Sequence, residues 1–362
     1  MNSKGLRAGV YVDVENIARN GGRGMRFDTL RQYATRDGAD AIRLNAYLAF
    51  DEERAHRDFD YRARATRYHF ALRDVGFKVI EKPVQWYANE DGARVSKANS
   101  DLDLAVDMLL QSAKLDRVVL VSGDGDFVQV VRALQNMGCR VELIGFQNVS
   151  YDLRCESDVF VSGYLIPGLL PVPLKPVTPA PARPPAWGEA GSRVRGTCYH
   201  YNAEKGFGFL RYLSRLGDLT VTDTRDPDSP YREAFFHRSQ CPPNLELGVL
   251  PNRDMVFDFL LVPGREGKME ANELTLVANY GPHLRPPQAQ VNWSAPASDS
   301  RVGRGTGPRP AVTTEGGEPE RAAPAPPRTV EAAAPPPPPP SLTPQWGRTG
   351  LDEPPPGGGR PT

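Results

Sequence analysis

Cysteine is scarce in this sequence. Cys139, Cys155, Cys198 and Cys241 stand far apart, with no CxxC pair and no histidine at zinc-ligand spacing. That argues against a structural zinc and against a disulfide framework, and it fits a reducing cytosol. Net charge is also missing: Lys+Arg and Asp+Glu number 44 each, so any attraction to phosphate has to come from local clustering. No run approaches the roughly 20 apolar residues of a membrane span. The opening MNSKGLRAGVYVDVEN carries no apolar segment of a secretion signal ahead of its first acid. A cytoplasmic chain without a membrane partner is expected.

Proline, by contrast, is abundant, with 36 in 362 residues, and its uneven spread divides the chain. Residues 165–191 hold a proline every few positions, which removes hydrogen-bond donors and favours an extended, semi-rigid spacer. From 281 to 362 the sequence is Pro, Ala, Gly and charge, with an unbroken proline run at 335–340. Its apolar content is too low to offset the entropy of ordering, so a disordered tail is expected. Extended segments of that tail could bind a protein partner that composition does not name. Oligomeric state is left open.

Between residues 7 and 164, β-rich runs alternate with helical patterns. Strands are expected at Gly9 to Val14, Ala41 to Ala49, Phe77 to Glu81, Arg117 to Ser122, Arg140 to Ile144 and Val159 to Ser162. Helices are expected near Phe27 to Thr35, Glu53 to Val75, Asp101 to Ala113, Phe127 to Met137 and Ser150 to Glu156. Alternation of this kind gives an α/β domain with a Rossmann-like parallel sheet. Residues 192–280 switch to short β-type runs punctuated by Gly and Pro, as in a small all-β unit.

Acidic residues recur where open α/β sheets carry their chemistry, at strand ends and the starts of the following helices. Asp13 ends the first strand, with Glu15 and Asn16 beside it. Asp101 opens the helix SDLDLAVDMLL, which also carries Asp103 and Asp107. Ser122, Asp124 and Asp126 follow the apolar strand RVVLV. Any one of these acids alone reads as a helix N-cap. Three clusters together read better as a site, because carboxylates that repel one another need a cation, and hard oxygen ligands suit magnesium or manganese. Such an ion supports phosphodiester hydrolysis by water without a nucleophilic Ser or Cys.

VDVEN at 12–16, SDLDLAVDMLL at 100–110 and VSGDGDFVQVVRALQNMGCRVELIG at 121–145 resemble the NYN domains of the PIN-like nuclease superfamily, specifically the LabA-like bacterial group. The resemblance implies a Rossmann-like fold and Mg2+- or Mn2+-dependent RNA cleavage. It implies that Asp13, Asp101 and Asp124 hold the metal, with Asp126 beside them and with Asn16 and Ser122 supporting the site. Where that family has a single Asp at the head of the middle helix, Asp103 adds another. A nucleotide-binding loop fits poorly, since NGGRG lacks GxGxxG spacing and carboxylates would repel a pyrophosphate. A phosphatase of the haloacid-dehalogenase type would want a second Asp where Glu15 stands and an acid where Val128 stands.

Arg57, Tyr61, Arg64 and Tyr68 line one stripe of the long helix and could meet phosphates and bases. Tyr61, Ala65, Tyr68 and Leu72 also make a core face, which is the preferred reading. The loop Lys82 to Lys97, with Trp86, Tyr87, Arg94 and Lys97, is the better candidate RNA contact because it leads into Asp101.

In the second unit, NAEKGFGFL at 202–210 and EAFFHRS at 233–239 place Phe207 with Phe209, and Phe235 with His237, on alternating positions of two strands. Rings on one face beside Lys205 and Arg238 make a stacking platform for unpaired bases. These motifs resemble the two ribonucleoprotein motifs of the cold-shock domain, a five-stranded OB-type barrel. The resemblance implies base stacking by Phe207, Phe209, Phe235 and His237, with Lys205 near the backbone and Tyr201 in the place of a phenylalanine. His200 stands where that family has tryptophan, and a longer stretch separates the two motifs. The expected activity is a metal-dependent endoribonuclease acting on single-stranded RNA. The barrel would capture the strand, with single-stranded DNA open as a second ligand, and the spacer would raise its concentration at the carboxylates. A non-catalytic RNA-binding regulator is the alternative, and a phosphatase the weaker one.

Overall fold

The computed structural model describes residues 5–88, 94–97, 100–172 and 183–281. The middle of the spacer and the expected disordered tail lie outside the described residues, as do the side chains of 85–99.

In chain order the first domain runs β1 (Arg7–Asp13), α1 (Val14–Arg19), α2 (Phe27–Ala34), β2 (Asp40–Phe50), α3 (Glu52–Arg57), α4 (Phe59–Asp74) and β3 (Lys78–Pro83). A hairpin of β4 (Gln85–Ala88) and β5 (Arg94–Lys97) follows, and then α5 (Asp101–Gln111), β6 (Arg117–Val121), α6 (Val128–Asn136), β7 (Arg140–Gly145), α7 (Tyr151–Glu156) and β8 (Val159–Ser162). Six strands form one parallel sheet in the order β3-β2-β1-β6-β7-β8. The chain winds outward from β1 to β3, and α5 then returns it to β1's other side. Strand order therefore reverses between β1 and β6, the position where open parallel sheets form a crevice at their carboxyl ends.

Both faces of the sheet are covered, which is why its central strands read as continuous apolar runs. On one face Val10, Val12, Val119 and Val121 meet Phe27, Leu30 and Tyr33 of α2 and Leu72 of α4. On the other, Tyr11, Val118 and Leu120 meet Leu104 and Met108 of α5, Val131 and Leu134 of α6 and Leu153 of α7.

Three local features differ from expectation. The first strand ends one residue earlier, because Asp13 caps a short helix by accepting from Asn16 N at 3.1 Å. The expected long helix is two helices: Asp58 leaves the helical conformation and accepts from Tyr61 N at 2.8 Å, a second N-cap that interrupts the first helix. The backbone of the loop carrying Trp86, Tyr87, Arg94 and Lys97 pairs as an antiparallel hairpin. The side chains that motivated an RNA contact there lie outside the described residues.

The second unit comprises β9 (Arg193–Asn202), β10 (Phe207–Leu213), β11 (Tyr231–His237), β12 (Met255–Pro263) and β13 (Met269–Asn279), closed as a barrel in the order β10-β11-β13-β12-β9. Leu210, Phe236, Phe257 and Phe259 fill its interior.

The barrel is not simply tethered to the sheet. Ile166, Leu169 and Leu170, at the start of the segment read as a spacer, are buried in the sheet's first core, and Val256 and Ala278 of the barrel join the same cluster. Leu216 and Leu219 pack there too, from the long β10–β11 connection that separates the two aromatic motifs. Arg195, buried within the barrel, lies over the Tyr164 ring at 5.4 Å. A shared core fixes the two units, so the effective-concentration role expected of the spacer gives way to direct docking. Among the described residues no helix is long and apolar enough to cross a membrane.

Candidate active site and nucleic-acid interface

A cavity of about 550 Å³ opens at the strand-order reversal. Asp13, Asn16, Asp101 and Asp124 line it, together with Glu15, Arg19, Asn20 and Tyr61. Three elements far apart in sequence thus bring the expected acids to one space. Asp13 is 3% exposed at the end of β1. It accepts from Asn16 N, and from the buried Ser122 hydroxyl at 3.3 Å. Ser122 in turn accepts from Asp124 N at 3.2 Å, and Asn16 Oδ1 accepts from Gly123 N at 2.9 Å. Ser122 and Asn16 therefore bind the ends of β1 and β6 together.

Burial pushes the Asp13 carboxyl up to about 6, with the negative charges of Asp101 and Asp124 adding to the rise and the Asn16 amide opposing it. Asp101 is raised as well, first by burial and then by Asp124 and Asp126. These carboxylates feel one another, and the site has an electrostatic deficit that a cation would relieve.

The other acids separate cleanly. Asp103 pairs with Lys82 at 2.7 Å, and Asp107 accepts from the Tyr47 hydroxyl at 2.8 Å, so Asp101 alone at the head of α5 reaches the cavity. Asp126, expected among the metal ligands, is exposed and does not line the cavity. A tight turn at Gly125–Phe127 carries it outward, while its backbone N–H donates to Asp124 Oδ1 at 3.0 Å. Among the described residues no group of three His, Cys, Asp or Glu is drawn close enough to grip an ion directly. The donor set is nevertheless hard oxygen around a polar space, which suits a cation that keeps several of its waters.

Arg19 and Asn20 were not anticipated as cavity residues. Their signal was their spacing from Asn16 along α1, a helix too short to show a period. Of the expected helix stripe, Tyr61 reaches the cavity, whereas Leu72 is core and Tyr68 packs edge-on to Phe27. Arg57 pairs with Glu53 at 2.6 Å.

On the barrel, Phe207, Phe209 and Phe235 form one ring cluster with centroids 5.7 to 6.2 Å apart. They lie half-buried on the outer face, while their chain neighbours Leu210 and Phe236 point inward. Gly208 is needed here, since a Cβ would stand 2.5 Å from His200 O and 2.6 Å from the Phe236 ring. His237 and Lys205 are exposed at one end, opposite Phe207 and after Asn202 respectively. Tyr201 departs from its expected role: it pairs with Gly208 and stacks on Phe236 at 6.0 Å, against the barrel core. A bulge in β9 inserts one residue between Cys198 and His200, which puts Tyr199 and His200 beside Phe209 instead. His200, the departure from the tryptophan pattern, therefore occupies the aromatic face.

The NYN domain family matches residues 7–168. The low amplitude and bright protein LabA of Synechococcus elongatus is 22% identical over 165 residues, covering 43% of this chain and 82% of that protein. A protein of unknown function from Vibrio parahaemolyticus, solved by crystallography, is 27% identical with a TM-score of 0.36, covering 45% of this chain and 95% of that one. The NYN match ends at 168, so it takes in Asp13, Asp101 and Asp124 and leaves the barrel outside.

Proposed function

We propose that the chain is a metal-dependent endoribonuclease whose barrel, a cold-shock-type domain, captures single-stranded RNA. The observation that carries this reading is the buried Asp13 sharing one cavity with Asp101 and Asp124 at the strand-order reversal of an NYN domain. A bound Mg2+ or Mn2+ would polarise the scissile phosphate and lower the pKa of a water. Asp13, Asp101 and Asp124 would hold it through carboxylate oxygens and waters. Ser122 and the Asn16 amide keep Asp13 oriented. Arg19, at the cavity wall and largely exposed, is suited to receive a phosphate of the strand. Phe207, Phe209, Phe235 and His200 would stack unpaired bases, with Lys205 and His237 at the edge.

The test is incubation of purified protein with end-labelled single-stranded RNA in Mn2+, Mg2+ or chelator. Cleavage that disappears with chelator and in Asp124→Asn supports the reading, and binding without cleavage in every metal refutes it. One observation favours a second reading, an RNA-binding regulator without catalysis: no three acids among the described residues converge on a single point.

A further inference from the structure

We propose that Tyr280, at the exit of the barrel's last strand, is a positioning residue for the carboxylate cavity of the NYN domain. This rests on the reading of that cavity as the cleavage site. The Tyr280 hydroxyl donates to Phe146 O, a carbonyl just beyond β7 that can only accept. Ser162 must therefore donate its proton to the Tyr280 oxygen, at 2.8 Å. Tyr280 is held from the other side by Arg154, which donates to its carbonyl at 2.6 Å, bonds Asp254 at 2.6 Å and lies over its ring. One phenol thus joins the barrel to the first residue of loop 146–150.

That loop is bonded to the two chain segments that carry the cavity residues Asn20 and Asp124. Phe146 fills the space left by Gly22, where a Cβ would come within 2.7 Å of its ring. Gln147 N donates to Asn20 O at 2.8 Å, Asn148 Nδ2 donates to Asn20 Oδ1 at 3.0 Å, and Ser150 N donates to Gly123 O at 2.9 Å. Asn20 Nδ2 donates onward to Asn16 O at 2.8 Å, and Asn16 bonds both Gly123 N and the Asp13 carboxylate. A continuous path of hydrogen bonds runs from Tyr280 to Asp13, with Asn16 and Asn20 as cavity residues on the way. Shifting Phe146 O would move both loops that aim the acids.

Tyr280→Phe keeps the ring against Phe160 and Arg154 and removes only the hydroxyl. Asp254→Asn weakens the Arg154 contact and leaves the Phe146 bond in place, so it controls for looser docking in general. Amide hydrogen exchange in metal-free protein, read at Asn20, Gly22 and Gln147, is expected to quicken about fivefold or more in Tyr280→Phe and to stay near wild type in Asp254→Asn. Unchanged exchange in Tyr280→Phe, or an equal rise in both variants, overturns the proposal. Where the wild type cleaves RNA, Tyr280→Phe should lower kcat with the Kd for RNA unchanged; a changed Kd with unchanged kcat would also overturn it. A wild type that fails to cleave refutes the nuclease reading alone, and the exchange comparison still decides the role of Tyr280.

Discussion

At the carboxyl ends of β1 and β6 the chain buries an acid, and on the outer face of β10 and β11 it leaves aromatic rings half in solvent. The first site costs stability through charge: Asp13 sits in a place where its ionised form is disfavoured. The second forgoes apolar burial, although the barrel interior is already filled by Leu210, Phe236, Phe257 and Phe259. Neither arrangement helps the fold, and each is what one half of the proposed function would use. The lesson is that the two sites differ in what would complete them. Under the proposed function a cation would complete the cavity, and stacked bases would complete the barrel face.

That contrast can be broken at either end. The largest effect is expected from Asp124→Asn, which removes one acid of the cavity and should reduce Mn2+-dependent RNA cleavage about 10³-fold, roughly 4 kcal/mol of barrier. RNA affinity at the barrel should stay within about twofold in the same variant, checked by fluorescence anisotropy.

A slightly smaller effect separates charge cost from catalysis. Because the folded-state pKa of Asp13 is raised from 3.8 to about 6, the native state holds that proton more tightly than the unfolded chain. Its contribution is favourable below pH 3.8 and is lost as pH rises to about 6. Across that window the metal-free protein loses about 3 kcal/mol of stability on account of Asp13, and above it the loss does not grow. Asp13→Asn should therefore stabilise the apo protein near neutral pH and flatten this loss in denaturant titrations across that window. Equal pH slopes in the two proteins would remove the electrostatic half of the comparison.

At the barrel, Phe207→Ala combined with Phe209→Ala should weaken RNA binding about 100-fold, at about 1–1.5 kcal/mol per ring. Cleavage at saturating RNA should be retained, which is the converse of Asp124→Asn. The smallest effect is expected at the docking surface. Arg154→Ala, which removes the bonds to Tyr280 O and Asp254, should lower unfolding free energy by about 1–2 kcal/mol without altering RNA affinity.

Much of the sheet was legible because its strands are buried on both faces and so read as uninterrupted apolar runs, as in RVVLV at 117–121. Asp13 and Asp124 were legible because each stands at the end of such a strand, and Asp101 because it opens the helix that follows the hairpin. Short-range competition hid other features. Asp58 looks like one polar residue on a helix until its side chain caps the next one. Asp103 and Asp107 look like Asp101 until Lys82 and Tyr47 claim them. Alternation placed Phe207, Phe209 and Phe235 correctly on one face. It could not foresee the bulge that turns Tyr201 inward and brings Tyr199 and His200 to the surface. The docking of the barrel was hidden for a different reason. A proline-rich spacer predicts separation, whereas Ile166, Leu169, Leu216 and Ala278 reveal their shared core only in three dimensions.

Whether the cavity of Asp13, Asp101 and Asp124 takes a divalent cation is read by Mn2+ binding in isothermal titration at about pH 7.5, well above the raised Asp13 pKa of about 6. The wild type should bind one Mn2+, with affinity reduced at least about tenfold in Asp101→Asn and falling as pH is lowered through 6. Mn2+ binding that is absent, or equal in wild type and Asp101→Asn, would show that these acids do not form a cation site.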